Sequence, residues 1–214
     1  MEKKTRIQTL GEEIANSVSH GVGSLLAIAA CVVLIVRSAF TSTAIGIVSA
    51  CIYGASLIIL YTFSSLYHSL TNRKAKSIFR IFDHCSIFLL ILGTYTPICL
   101  WMLKGALGWT LFGINVFCTV LGIVLNSIDL KKFQKLSMIL YIFMGWSVIM
   151  SIKNVIAIIP FSGMVFLLVG GLLYTFGIIF YKMKNVKYMH FIWHLFVLGG
   201  SIVHYFFVLF YCYK

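Results

Sequence analysis

The chain has 214 residues, 61% of them hydrophobic and only 10% charged, with a formal net charge of +12. A soluble domain is about 45–50% apolar and about 25% charged, so this chain has too few charged groups to cover its apolar surface in water, and the composition predicts an integral membrane protein. A net charge of this sign would suggest nucleic acid on a soluble protein, but no nucleic-acid motif accompanies it, and the basic residues fall in connecting segments, where anionic lipid headgroups account for them.

Seven long neutral stretches lie between successive charged residues, at 14–36, 38–72, 84–103, 105–128, 136–152, 154–181 and 188–213. A spanning helix needs roughly 17–25 apolar residues, so each stretch holds one helix. Their apolar runs are solid, as in Leu57-Ile58-Ile59-Leu60 and Phe88-Leu89-Leu90-Ile91-Leu92, and not alternating as in a barrel strand. The expected fold is an all-α, seven-transmembrane helix bundle in one membrane domain. Its spans are expected near 18–36, 43–66, 84–103, 106–128, 136–152, 159–181 and 190–212.

In the first span, Ile28-Ala29-Ala30-Cys31 loosely resembles a lipoprotein cleavage box. The apolar run continues through Val32 to Val36, and Glu12 and Glu13 interrupt the basic leader, so an uncleaved helix is expected. Pro97 predicts a kink within the third span, and Pro160 falls near the start of the sixth. Asn115 and Asn126 are expected to bond across helices. Asp129, beside Lys131 and Lys132, reads as a solvated loop charge. The pairs Gly170-Gly171 and Gly199-Gly200 fit close helix packing. None of the six cysteines forms Cys-x-x-Cys, and buried small hydrophobes are expected rather than disulfides.

Lys plus Arg, counted segment by segment from the N-terminal tail, run 3, 1, 4, 1, 3, 1, 3, 1. Short loops rich in basic residues stay on the cytoplasmic side. The N-terminus is therefore expected to be cytoplasmic and the C-terminus extracytoplasmic. With that threading His20, His68, His84, His190, His194 and Asp83 all fall at the cytoplasmic end of the bundle, whereas His204 lies about 15 Å deeper than His194.

Ionisable groups in spans are functional candidates. His190 and His194 are one turn apart on one helix face, a spacing that suits two imidazoles on one metal. With His68 they make three ligands from two helices, the donor set of a catalytic zinc site that keeps one position for water, whose pKa zinc lowers to about 7. Asp83 stands where it can orient that water or take its proton, and Ser64, one turn from His68, can support it by hydrogen bonding. Glu13, Asn16 and His20 share a face at i, i+3 and i+7, as a capping and packing cluster or as part of a site. His84 reads as an interfacial polar residue and His204 as an interhelical hydrogen-bonding residue.

These residues form ordered motifs: Glu13-x2-Asn16-x3-His20, then Ser64-x3-His68 followed by Asp83-His84, then His190-x3-His194. With the surrounding Gly93-Thr94-Tyr95-Thr96-Pro97, the chain resembles the bacterial hemolysin III family, the prokaryotic branch of the progestin and adipoQ receptor superfamily. The resemblance implies seven helices, an internal N-terminus, and zinc held by His68, His190 and His194 with Asp83 and Ser64 near the metal water. Eukaryotic relatives are linked to hydrolysis of ceramide-like lipid amides, and the bacterial branch takes its name from haemolytic activity. The expected function is a zinc-dependent hydrolase of membrane lipid amides in the cytoplasmic membrane, with a lipid substrate and Asp83 as proton carrier. The alternatives are a pore-forming cytolytic protein and a receptor-like sensor with structural zinc.

Overall fold

A computed structural model describes residues 6–214; Lys3 and Lys4 of the charge count lie outside the described residues. Among the described residues all regular structure is helical: α1 (Leu10–Thr41), α2 (Ala44–Ser69), α3 (Arg73–Thr96), α4 (Gly105–Trp146), α5 (Ile152–Ile158), α6 (Phe161–Lys182) and α7 (Met189–Phe207). Six continuous helical stretches are long and apolar enough to cross a membrane: Leu10–Thr41, Ala44–Ser69, Arg73–Leu103, Gly105–Ile158, Phe161–Lys182 and Met189–Cys212.

The expected fourth and fifth spans thus lie in one helical stretch of 54 residues. Its contour, about 81 Å at 1.5 Å per residue, is more than twice the apolar thickness of a bilayer. The stretch is broken at Asp129, whose backbone (φ −157°, ψ 96°) is extended. The chain reverses there. Ser137 Oγ donates to Asn126 Oδ1 at 2.6 Å, and Asn115 Nδ2 donates to Ser147 Oγ at 3.1 Å although 32 residues separate them. No loop intervenes because one residue makes the turn. The Asp129 carboxylate accepts from the backbone N–H groups of Lys131 and Lys132, both at 3.0 Å, and so caps the following helix. The residue expected as a solvated loop charge is exposed and is also the N-cap.

Two further caps set where helices start. Thr9 and Glu12 form a capping box on α1. Asn72 Oδ1 accepts from Lys74 and Ala75, starting α3 eleven residues ahead of the expected span start at 84. Pro97 does not kink the middle of a helix. It opens a π-helical segment, Pro97–Leu103, that continues α3 and relieves the hydrogen bond that proline cannot donate.

Around the bundle α1 packs on α2 and α7, α2 on α3, α3 on α4, and α6 on α7. Small residues allow the closest approaches. A side chain at Gly54 would overlap Cys31, and one at Gly170 would overlap the His204 ring, whose Nε2 donates to the Leu167 carbonyl at 3.2 Å. All six cysteines are free. At the end remote from the other histidines, Trp101 Nε1 donates to Cys212 O at 2.7 Å, Arg37 Nε to Tyr213 O at 2.9 Å, and Tyr213 OH to Gly46 O at 2.7 Å. These bonds tie α1, α2, the π segment and the C-terminus together.

The reversal at Asp129 is testable. A cysteine pair introduced as Asn115→Cys and Ser147→Cys, with the native cysteines replaced, should be joined by a short bis-methanethiosulfonate cross-linker and found as an intramolecular adduct by mass spectrometry. A straight helix would hold the two positions about 48 Å apart and give no adduct.

Candidate metal centre

The site is built where the first turns of α1, α3 and α7 meet the last turn of α2. His190 and His194 project from α7 on one face, as the i, i+4 spacing dictates, with ring centroids 4.7 Å apart. The His68 ring, from α2, lies 5.1 Å from His190 and 5.0 Å from His194. One ring nitrogen from each of the three falls within 4.8 Å of the other two, so the three residues form a group able to hold a metal ion. His68 and His194 are 3% and 2% exposed.

The proton on each of two rings is fixed by what its Nδ1 touches. His68 Nδ1 lies 2.7 Å from Glu13 Oε2. A carboxylate only accepts, so Nδ1 carries the hydrogen and Nε2 presents a lone pair. His194 Nδ1 donates to the Asn16 carbonyl at 3.2 Å, with Ser19 Oγ 3.3 Å away. The Nε2 atoms of His68 and His190 are buried with no hydrogen-bond partner. A buried, unpaired polar atom costs about 1–3 kcal/mol, and two of them meeting in one cluster is an arrangement that a cation relieves. An imidazole whose other nitrogen donates to a carboxylate or backbone carbonyl is the usual outer support of a metal ligand. The donor set, three imidazoles, suits zinc among the common divalent ions. The residues present therefore fit the group.

The supporting residues come from α1. Glu13 Oε1 also pairs with Lys76 Nζ at 3.0 Å, so one carboxylate links α1, α2 and α3. Glu12 accepts from Arg6, from Thr9 N at 2.9 Å, and from the Tyr188 backbone N–H at 2.8 Å. Tyr188 is the N-cap of α7, held at φ 62°, a left-handed conformation uncommon outside glycine. Glu12 thereby fixes where α7 begins, two residues before His190. His20 stacks on His194, centroids 3.6 Å apart and planes 9° from parallel, with its edge toward Tyr61. The face carrying Glu13, Asn16 and His20 is thus turned toward the histidines. Their i, i+3, i+7 spacing was the signal for it, whereas Ser19 and Tyr188 gave none.

Asp83 and Ser64 are buried and line one cavity with His20, His190 and His194. Asp83 is outside the ligand group; its nearest basic partner is His84 Nδ1 at 3.7 Å. His84 is not a free interfacial group: its Nδ1 donates to the Arg80 carbonyl at 2.9 Å, and its Nε2 lies 3.4 Å from Tyr181 OH. The cavity, about 140 Å³, runs from the histidines past Leu90, Thr94 and Tyr174 to His204. His204 stands at its far end, away from the cluster.

Substituting Glu13→Gln or Glu13→Ala should weaken the binding of an added divalent metal about 10–100-fold in chelator competition while leaving the three histidines in place. Unchanged affinity would remove Glu13 from the support of His68.

The sequence comparisons agree with this architecture. The chain matches the family described as "Haemolysin-III related" over residues 8–205. It is 44% identical to "Hemolysin-3" of Bacillus cereus, covering 98% of this chain and 96% of that one. It is 47% identical to a "Hemolysin-3 homolog" of Bacillus subtilis, covering 96% and 97%. At 27% identity, over 78% of this chain and 71% of the relative, it also resembles the human "Monocyte to macrophage differentiation factor". With six helices of membrane-spanning length and relatives of this kind, the chain is a multi-pass protein of the bacterial cell membrane, and it belongs to the haemolysin III family.

Proposed function

We propose that the chain is a zinc-dependent hydrolase that cleaves an amide of a membrane lipid. The observation that carries this reading is the pair of oriented imidazoles. His68 is held by Glu13 and His194 by the Asn16 carbonyl, and buried nitrogens without partners meet beside an apolar cavity. A structural zinc site closes all four positions with protein side chains. Here three histidines form the group, and Asp83, the one carboxylate in the cavity wall among the described residues, stands outside it.

His68, His190 and His194 would hold the ion, which when bound lowers the pKa of water and polarises a carbonyl. Asp83, facing the cavity, accepts the proton released by the attacking water and returns it to the leaving nitrogen. Ser64 donates a hydrogen bond to an oxygen in the same space. Leu60, Leu90, Ile91 and Val197 line the cavity, accommodate an acyl chain and exclude bulk water, which strengthens each polar contact inside.

Seven spans with a cytoplasmic N-terminus, in a single domain, complete the proposal. It is supported by the reversal at Asp129 and by thirteen basic residues on one side of the alternation against four on the other. The site then opens toward the inner leaflet. The name of the Bacillus cereus relative points to haemolysis as a second reading, which predicts leakage independent of the metal ligands.

For purified protein in detergent, His194→Ala should abolish both zinc retention and hydrolysis of a ceramide-type amide. Asp83→Asn should lower turnover about 10²–10⁴-fold with zinc retained. Dye release from liposomes that survives His194→Ala, with no lipid turned over by the wild type, would replace this reading with the cytolytic one.

A further inference from the structure

His20 lines the cavity and takes no part in the chemistry proposed above. It is 3% exposed, and neither of its ring nitrogens has a hydrogen-bond partner. Its close neighbours offer ring contacts: it stacks on His194, centroids 3.6 Å apart and planes 9° from parallel, and meets Tyr61 edge-on at 5.0 Å. A neutral imidazole carries one N–H and one lone pair. Here both are buried and unpaired, an arrangement that native interiors avoid unless something else supplies the partner.

Packing does not account for the residue. A phenylalanine would stack on His194 as well and would bury no unpaired polar atom. Metal ligation does not account for it either. His20 is outside the ligand group, because the nitrogens of two parallel, stacked rings point along two separate planes and not at one shared point. What remains is the cavity. His20 lines it with Ser64, Asp83, His190 and His194, so its N–H is a donor one ring thickness from His194, in a space closed to bulk water, with no acceptor of the protein's own.

We propose that His20 contacts the substrate, its neutral imidazole donating the N–H to the carbonyl oxygen of the lipid amide. The proposal rests on the lipid-hydrolase reading and deepens it by naming the side chain that recognises the acyl carbonyl. Such a donor, fixed in place by the stack on His194, binds the oxygen more strongly as negative charge develops on it during attack. The hydrogen stays on His20 throughout, and Asp83 remains the proton carrier.

The test uses the purified, zinc-loaded full chain in maltoside micelles and two probes, a long-chain methyl ketone and the matching alkane, both brominated in the chain. The ketone has the carbonyl and no leaving group, so binding is read without turnover, as saturable quenching of Trp146 and Trp193, which line the cavity. His20→Phe keeps a ring on His194 and removes both nitrogens. It should weaken ketone binding about three- to tenfold, the worth of one neutral hydrogen bond, and change alkane binding and zinc affinity less than about twofold. His20→Asn and His20→Gln set an amide N–H near the positions of Nδ1 and Nε2, and one of the two should restore ketone binding, which a packing role does not explain. With a lipid amide as substrate, His20→Phe should lower kcat about 10²–10³-fold. Unchanged ketone binding in His20→Phe, equal losses for ketone and alkane, a parallel fall in zinc affinity, or recovery in neither amide variant would overturn the proposal. If the wild type hydrolyses no lipid, the ketone result still decides the contact, and a negative ketone result leaves hydrolysis by the wild type standing.

Discussion

A buried imidazole is held ready as a metal ligand when its other nitrogen has a fixed hydrogen-bond partner, and for two of the three histidines, His68 and His194, α1 supplies that partner. Glu13 accepts from His68 and the Asn16 carbonyl from His194. Without these acceptors the rings would be free to take either tautomer, and buried ring nitrogens would remain unpaired at a cost of about 1–3 kcal/mol each. The inward stripe of α1 reads Glu12, Asn16, His20, then Gly23, Ala27, Leu34 and Ser38. Its first two turns are chemistry, and the rest is small or apolar packing against α2 and α7. Removing polarity from those two turns would save desolvation energy and leave no defined site.

The two ends of the bundle are built for different purposes. At the end without the histidine cluster, main-chain acceptors of Cys212, Tyr213 and Gly46 receive Trp101, Arg37 and Tyr213, and two π-helical segments pack on one another. At the end with the cluster, α7 begins from a strained residue, Tyr188, whose N–H is captured by Glu12. Strain of this kind costs on the order of 1–3 kcal/mol and persists where the surroundings enforce it. Here the enforcing group is a carboxylate also bound by Arg6 and Thr9, so the first turn of α7, and with it His190, takes its position from α1.

Much of this was legible in the sequence. Solid apolar runs between charges, as at 84–103, mark helices because a membrane leaves the backbone no other open form. The spacings of His68, His190 and His194 put three imidazoles at one depth, and the rings do gather there. What the sequence left open was partner choice. Glu13 and Asn16 stood on one face of a helix, but the face that meets α2 and α7 is decided by close approaches such as Gly54 to Cys31, which depend on three-dimensional packing. Helix ends were misjudged for a local reason. Charged residues at 73–80 looked like loop, yet the Asn72 cap lets them form the first turns of α3. Asp129 was read by its charge and not by its ability to cap, so a one-residue reversal was expected as a longer connection.

The proposed chemistry requires three imidazole nitrogens to share one ion. The most direct measurement is the zinc K-edge X-ray absorption spectrum of the purified, zinc-loaded protein. We expect three histidine nitrogens and one further light atom at about 2.0–2.1 Å, with the more distant scattering that imidazole rings give. A shell containing sulfur at about 2.3 Å, or one without imidazole scattering, would contradict it.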